Sequence, residues 1–110
     1  MKKIVIINCG GNILSLVRAI NKYNFKAIIT NDINEISSAT HIFLPGVGAF
    51  KNAMNKLHQF NLVNFLRKLD FTKKNLMGIC LGMQILMLEG EEDGYCEGLR
   101  LINGKVKKID

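Results

Sequence analysis

Short apolar, often β-branched runs alternate along this chain with stretches whose apolar positions recur at helical spacing. Ile4–Ile7 is apolar throughout and ends at the turn-forming Asn8-Cys9-Gly10-Gly11-Asn12. From Ile13 the apolar positions are Ile13, Leu16, Val17 and Ile20, one face of a helix. Lys26–Thr30 reads as a second strand, broken by Asn31-Asp32, and Ile42-Phe43-Leu44 as a third, stopped by Pro45. Leu62, Phe65, Leu66 and Leu69 mark a further amphipathic helix, preceded by a short turn through Ala53, Met54 and Leu57. Leu76–Ile79 predicts a fourth strand, and Leu81–Leu88 a helix entered almost without a loop.

Strands that are apolar at every position, rather than at alternate ones, are covered on both faces, as in parallel sheets. Strand–helix repeats of this kind predict an α/β fold. It is an open, mainly parallel sheet with helices on both faces and a ligand site at the carboxyl ends of its strands. Beyond an acidic stretch, Leu99–Ile102 and Lys105–Ile109 flank Asn103-Gly104, which reads as a two-residue hairpin turn.

Composition narrows the class. With 110 residues, 48% of them hydrophobic and 22% charged, the chain suits one globular domain rather than a disordered segment. The net charge of +6 comes from scattered lysines and forms no dense basic run, so no nucleic-acid partner is expected. Five of the nine acids (Glu89, Glu91, Glu92, Asp93, Glu97) crowd into one short stretch. The longest nearly apolar run, Leu76–Leu88, falls short of the roughly 20 residues a membrane span needs. The amino-terminal apolar run is likewise too short for a signal peptide. Cys9, Cys80 and Cys96 form neither an even set nor a metal-type pair, so a cytoplasmic location and no metal are expected.

One arrangement carries chemistry. Gly78-Ile79-Cys80-Leu81-Gly82 places a cysteine between two glycines, on a predicted strand-to-helix turn. A nucleophile on so sharp a turn has a strained backbone, and its close neighbours must lack side chains. The turn would lift the sulfur beyond the sheet edge to a helix N-terminus, where thiolate is favoured, and point the Leu81 N–H toward an oxyanion. Pro45-Gly46-Val47-Gly48-Ala49-Phe50 follows the third strand, and an N–H of Val47 or Gly48 could complete an oxyanion hole. By itself that segment reads better as an ordinary Pro-Gly turn. Gly10-Gly11-Asn12 could cradle a phosphate, yet lacks the full spacing of either common phosphate loop.

Taken together, Leu44–Phe50, Ala53-Met54, Gly78–Gln84 and the late Gly98-Leu99 and Gly104-Lys105-Val106 resemble the class I (triad-type) glutamine amidotransferases. The likeness is strongest to the glutaminase subunits of imidazole glycerol phosphate synthase, with Gly11-Asn12-Ile13 and Ser15 similar to that branch's Gly-Asn-Leu-x-Ser. The resemblance implies a flavodoxin-like fold, no cofactor, and glutamine hydrolysis feeding ammonia to a (β/α)-barrel synthase/cyclase partner in a heterodimer. Cys80 would be the nucleophile, and Val47, Gly48 and Leu81 the oxyanion donors. Gly46, Gln84 and Glu92 would contact glutamine.

Two departures follow. The family's general base is a histidine in an H-x-E motif well downstream of the cysteine. The only histidines here, His41 and His58, both precede Cys80 and read as structural and solvated residues. Residues 1–110 thus resemble the N-terminal part of a single amidotransferase domain, expected to show little or no turnover alone. Leu14 also stands where the histidine-pathway branch commonly has Arg. That keeps open a paralogue serving amidino- or amino-sugar modification, and a non-catalytic paralogue that binds the synthase.

Overall fold

In the computed structural model, which describes residues 2–92 and 94–109, four of the apolar runs pair into one parallel sheet. They are β1 (Ile4–Ile6), β2 (Ala27–Ile29), β3 (His41–Gly46) and β4 (Asn75–Cys80), in the order β2-β1-β3-β4. Between and after them come α1 (Ile13–Asn21), α2 (Ile33–Ser37), α3 (Phe50–Gln59), α4 (Val63–Arg67) and α5 (Leu81–Gln84). A second sheet has β5 (Met87–Gly90) at its centre. It pairs antiparallel with β6 (Cys96–Glu97) and parallel with β7 (Ile102–Val106).

Side-chain alternation along β1 sends residues to two separate cores. Ile4 and Ile6 meet Ile13 and Ile20 of α1 on one face. Val5 and Ile7 join Ile42, Leu44, Ile36 of α2, Met54 and Leu57 of α3 and Leu66 of α4 on the other. The expected helices on both faces are therefore present. Local chemistry sets the helix starts: Asn12 Oδ1 accepts from the Ser15 N–H at 3.3 Å, and Asp32 Oδ1 from the Asn34 N–H at 2.9 Å.

Four sequence expectations need correction. Pro45 does not stop the third strand; β3 runs on to Gly46. The Phe43 carbonyl accepts from the Ile7 N–H at 3.0 Å, so Phe43 and, two residues later, Pro45 turn their backbone groups toward β1. The β1 ladder has ended by then, and the missing proline N–H sacrifices no ladder bond. The turn through Ala53, Met54 and Leu57 is the body of a ten-residue helix, α3.

The predicted Leu81–Leu88 helix ends at Gln84. Carbonyls that would continue it are taken by the returning chain: Leu99 N–H donates to Ile85 O at 2.7 Å, and Leu101 N–H to Leu86 O at 2.9 Å. Asn103-Gly104 is not a hairpin turn but lies inside β7. The parallel register passes from Met87↔Ile102 to Glu89↔Lys105, so β7 carries one extra residue, accommodated beside Gly104 at φ 141°. Among the described residues no helix is long and apolar enough to cross a membrane.

Candidate active site

The turn from β4 to α5 holds Cys80 at φ 56° and ψ −121°, a conformation sparsely populated by residues with a side chain. Backbone packing enforces it. A Cβ on Gly82 would lie 1.6 Å from the Leu44 carbonyl oxygen, and one on Gly78 would lie 2.7 Å from the Gly82 oxygen. Both flanking glycines are thus required by contact with main chain, as the turn's geometry predicted. β3 pairs with β4 through Gly46↔Cys80, which sets the end of the Pro-Gly segment directly beside Cys80. A Cβ on Gly46 would reach within 3.3 Å of the Gly82 nitrogen, so the two turns are in close backbone contact.

Cys80 opens onto a cavity of about 350 Å³ lined by Gly11, Asn12, Ser15, Pro45, Gly46 and Val47, among others. The structure therefore brings Cys80, Gly46 and Val47 together. Leu81 is buried directly behind Cys80 as the first residue of α5. Gly48 is exposed at φ 99°, one residue beyond the cavity lining. Gln84 is half-buried at the end of α5, and Glu92 is exposed beyond β5; neither lines the cavity. Asp93 of the acidic stretch lies outside the described residues.

The opposite wall, Gly11 to Ser15, was not singled out as facing the cysteine. The signal was topological: β1 and β3 are sheet neighbours, so the loops after their carboxyl ends must meet. A Cβ on Gly11 would sit 3.5 Å from a Val47 methyl. Asn12 is occupied as the α1 cap.

The other thiols are in different surroundings. Cys9 is buried, and desolvation pushes its pKa up to about 11 against a smaller opposing pull from Lys56. Burial also raises Cys96, whose Sγ lies 3.6 Å from the Glu97 carbonyl oxygen. Of the three, Cys80 alone is exposed.

Neither histidine approaches it. His41 begins β3, at the opposite end of the strand from Gly46, about 16 Å away at strand rise. Its Nδ1 sits 2.8 Å from Thr40 Oγ1, a structural contact. His58 is exposed near the far end of α3, about 12 Å along that helix from Phe50. The described residues contain no group of three or more His, Cys, Asp or Glu side chains able to hold a metal.

Beyond the Cys80 turn, β5 to β7 form a strap tied down by side chains. Lys105 Nζ lies 2.9 Å from Glu89 Oε1 and 3.8 Å from Glu91 Oε1. The Lys105 ammonium, with help from Tyr95, holds the Glu89 carboxyl below its usual range. From α4, Arg67 Nη2 donates to Glu97 Oε1 at 2.7 Å and to the Gly98 carbonyl at 2.8 Å.

An exposed cysteine at positive φ, locked between two glycines beside a second glycine turn, has the backbone geometry of a nucleophile elbow on a parallel α/β sheet. The profile of the family described as glutamine amidotransferase class-I matches residues 5–109, and the chain belongs to that family. It is 42% identical, over 99% of its own length, to the imidazole glycerol phosphate synthase subunit HisH of Moorella thermoacetica. The HisH subunit of Oceanobacillus iheyensis is 44% identical over 96% of the chain, and the subunit HisH 2 of Campylobacter jejuni strain RM1221 is 45% identical over 99%. These alignments cover 52%, 53% and 54% of the relatives, so the chain spans about half their length.

Proposed function

We propose that this chain supplies the nucleophile half of a glutaminase, the N-terminal part of a single amidotransferase domain. In the reaction, Cys80 thiolate adds to the side-chain amide carbon of glutamine. The C–N bond breaks, nitrogen takes a proton and leaves as ammonia, and a glutamyl thioester remains for water to hydrolyse to glutamate. Backbone N–H groups of Val47, Gly48 and Leu81 would face the oxyanion. Gly46, Gln84 and Glu92 would bind glutamine, with Glu92 on its α-amino group. The proton-transferring base is assigned to a histidine outside residues 1–110. No organic cofactor or metal enters this chemistry.

The observation that carries the reading is Cys80 itself, exposed at φ 56° on a turn that backbone contacts with Gly78 and Gly82 hold in place. The recipient of the ammonia is proposed as a (β/α)-barrel synthase/cyclase subunit making imidazole glycerol phosphate, in a cytoplasmic heterodimer. The relatives' identity as imidazole glycerol phosphate synthase subunits supports the synthase as recipient.

The test is ammonia release from glutamine in the presence of the synthase. Residues 1–110 alone should give little or none, and the protein isolated from its source cell should turn over and lose activity on C80S. An intact mass near 12.3 kDa for that isolated protein would instead favour a non-catalytic paralogue that binds the synthase. Ammonia transfer to a sugar precursor in place of the imidazole product would favour the sugar-modifying branch.

A further inference from the structure

The Val47-Gly48-Ala49 segment is a short bridge with a fixed point at each end. At one end Gly46 is paired to Cys80 and packed on Gly82. The other end is Phe50, first residue of α3 and 4% exposed. Its ring is seated against the strap. A Cβ on Gly90 would lie 2.7 Å from Phe50 Cδ2, and one on Gly98 would lie 3.0 Å from Phe50 Cζ. Gly90 ends β5, is paired to Cys96, and leads directly into Glu91-Glu92. Gly98 follows β6, and its carbonyl is gripped by Arg67.

Between those ends the bridge is lightly packed, with Gly11 beside the Val47 side chain. Val47 is 61% exposed, and a Cβ on Gly48, at φ 99°, would meet nothing within 4 Å. Its peptide planes are therefore set mainly from its two ends. One end belongs to the nucleophile turn, and the other to the aromatic ring on which the strap rests.

We propose that Phe50 is a positioning residue that couples the acidic strap to the Val47–Ala49 bridge. Glutamine engaged by the strap then presses through Gly90 and the ring to set the bridge's N–H groups for the oxyanion. This rests on the glutaminase reading and extends it. Only a flat ring closely packed on two side-chain-free residues transmits a small shift of the strap; a flexible aliphatic side chain of similar size would absorb it.

The test is hydrogen exchange in the full protein carrying C80S, which binds glutamine without turning it over. Glutamine should slow exchange in peptides covering 46–49 and 90–98 by about tenfold or more. With F50L added, protection of 90–98 should persist while that of 46–49 disappears. G90A, which keeps the ring but drives a methyl into it, should uncouple the two segments in the same way and covers the case that F50L fails to fold. In protein with Cys80 intact, F50L should lower kcat by about tenfold or more with a smaller change in KM. Joint protection of both segments in F50L and G90A would overturn the role of Phe50 while leaving glutamine binding intact. Protection of neither segment in C80S protein with Phe50 and Gly90 intact would overturn the glutaminase reading beneath it.

Discussion

The parallel sheet and the strap hold their shapes by different means. β1 is buried at all of its positions, and β3 at most of them. The Cys80 turn at their carboxyl ends is fixed by main chain against main chain. β7 is exposed along most of its length, and the strap is secured by ion pairs, one arginine, one aromatic ring and the buried Leu99. Cys80 therefore sits where nothing can shift cheaply. Glu92, the acid proposed to grasp substrate, is exposed beside a part held by fewer buried contacts.

The largest expected effect is at the sheet. G82A puts a methyl 1.6 Å from the Leu44 carbonyl, so the turn must be displaced. The expected cost is about 3 kcal/mol or more, read as a lower urea midpoint, together with a slower reaction of Cys80 with iodoacetamide. An unchanged midpoint and alkylation rate would contradict the rigid-turn account.

Cys9 gives the next effect. Its folded pKa of about 11 lies above the ordinary 9.0, so its contribution to stability is whole below pH 9 and is lost as pH rises from 9 to 11. The loss is at most about 3 kcal/mol. Comparing denaturation of C9A with the unsubstituted chain across that range should show the alkaline decline reduced in C9A.

In the strap, R67A removes the donor to Glu97 and leaves the Gly98 carbonyl unpaired, for a loss of about 1–3 kcal/mol. That loss should appear as faster proteolysis within 91–98 before any change at Cys80. Loss of thiol reactivity first would mean the two regions are one unit.

The smallest effect is the pH response of the Lys105–Glu89 pair. Glu89 is depressed by Lys105, so its support is present above the ordinary carboxylate value and fades as pH falls through the lower folded one. Lys105 is raised, chiefly by Glu89, so its share persists until pH rises past the ordinary lysine value. Strap proteolysis by an acid protease should accelerate below about pH 4, and E89Q should flatten that dependence.

The same division explains what could be read from residues alone. β1, α1 and the Cys80 turn announce themselves because their patterns are local: a buried run, a helical period, two glycines around a cysteine. Leu76–Leu88 is nearly uniform in hydrophobicity, yet it contains a strand, a single helical turn and the start of another strand. Bonds from Leu99 to Leu101 divide it, and those partners lie far along the chain. Pro45 within β3 and Asn103-Gly104 within β7 misled for a related reason. Each breaks a local rule at a place where the pairing partner has already ended or slipped register. That Gly46, Val47 and Cys80 lie together could be read from the residues, and the structure does bring them together. The facing wall at Gly11–Ser15 followed only from strand order, and the contacts of Phe50 with Gly90 and Gly98 and of Arg67 with Glu97 and Gly98 only from packing.

The most direct test of Cys80 as a glutamine-directed nucleophile is labelling of the full protein with a glutamine-shaped chloroketone, followed by peptide mass mapping. A single adduct on Cys80, slowed by added glutamine and absent in C80S, is the predicted result. Labelling of Cys96 or Cys9 instead, or an adduct on Cys80 indifferent to glutamine, would contradict it.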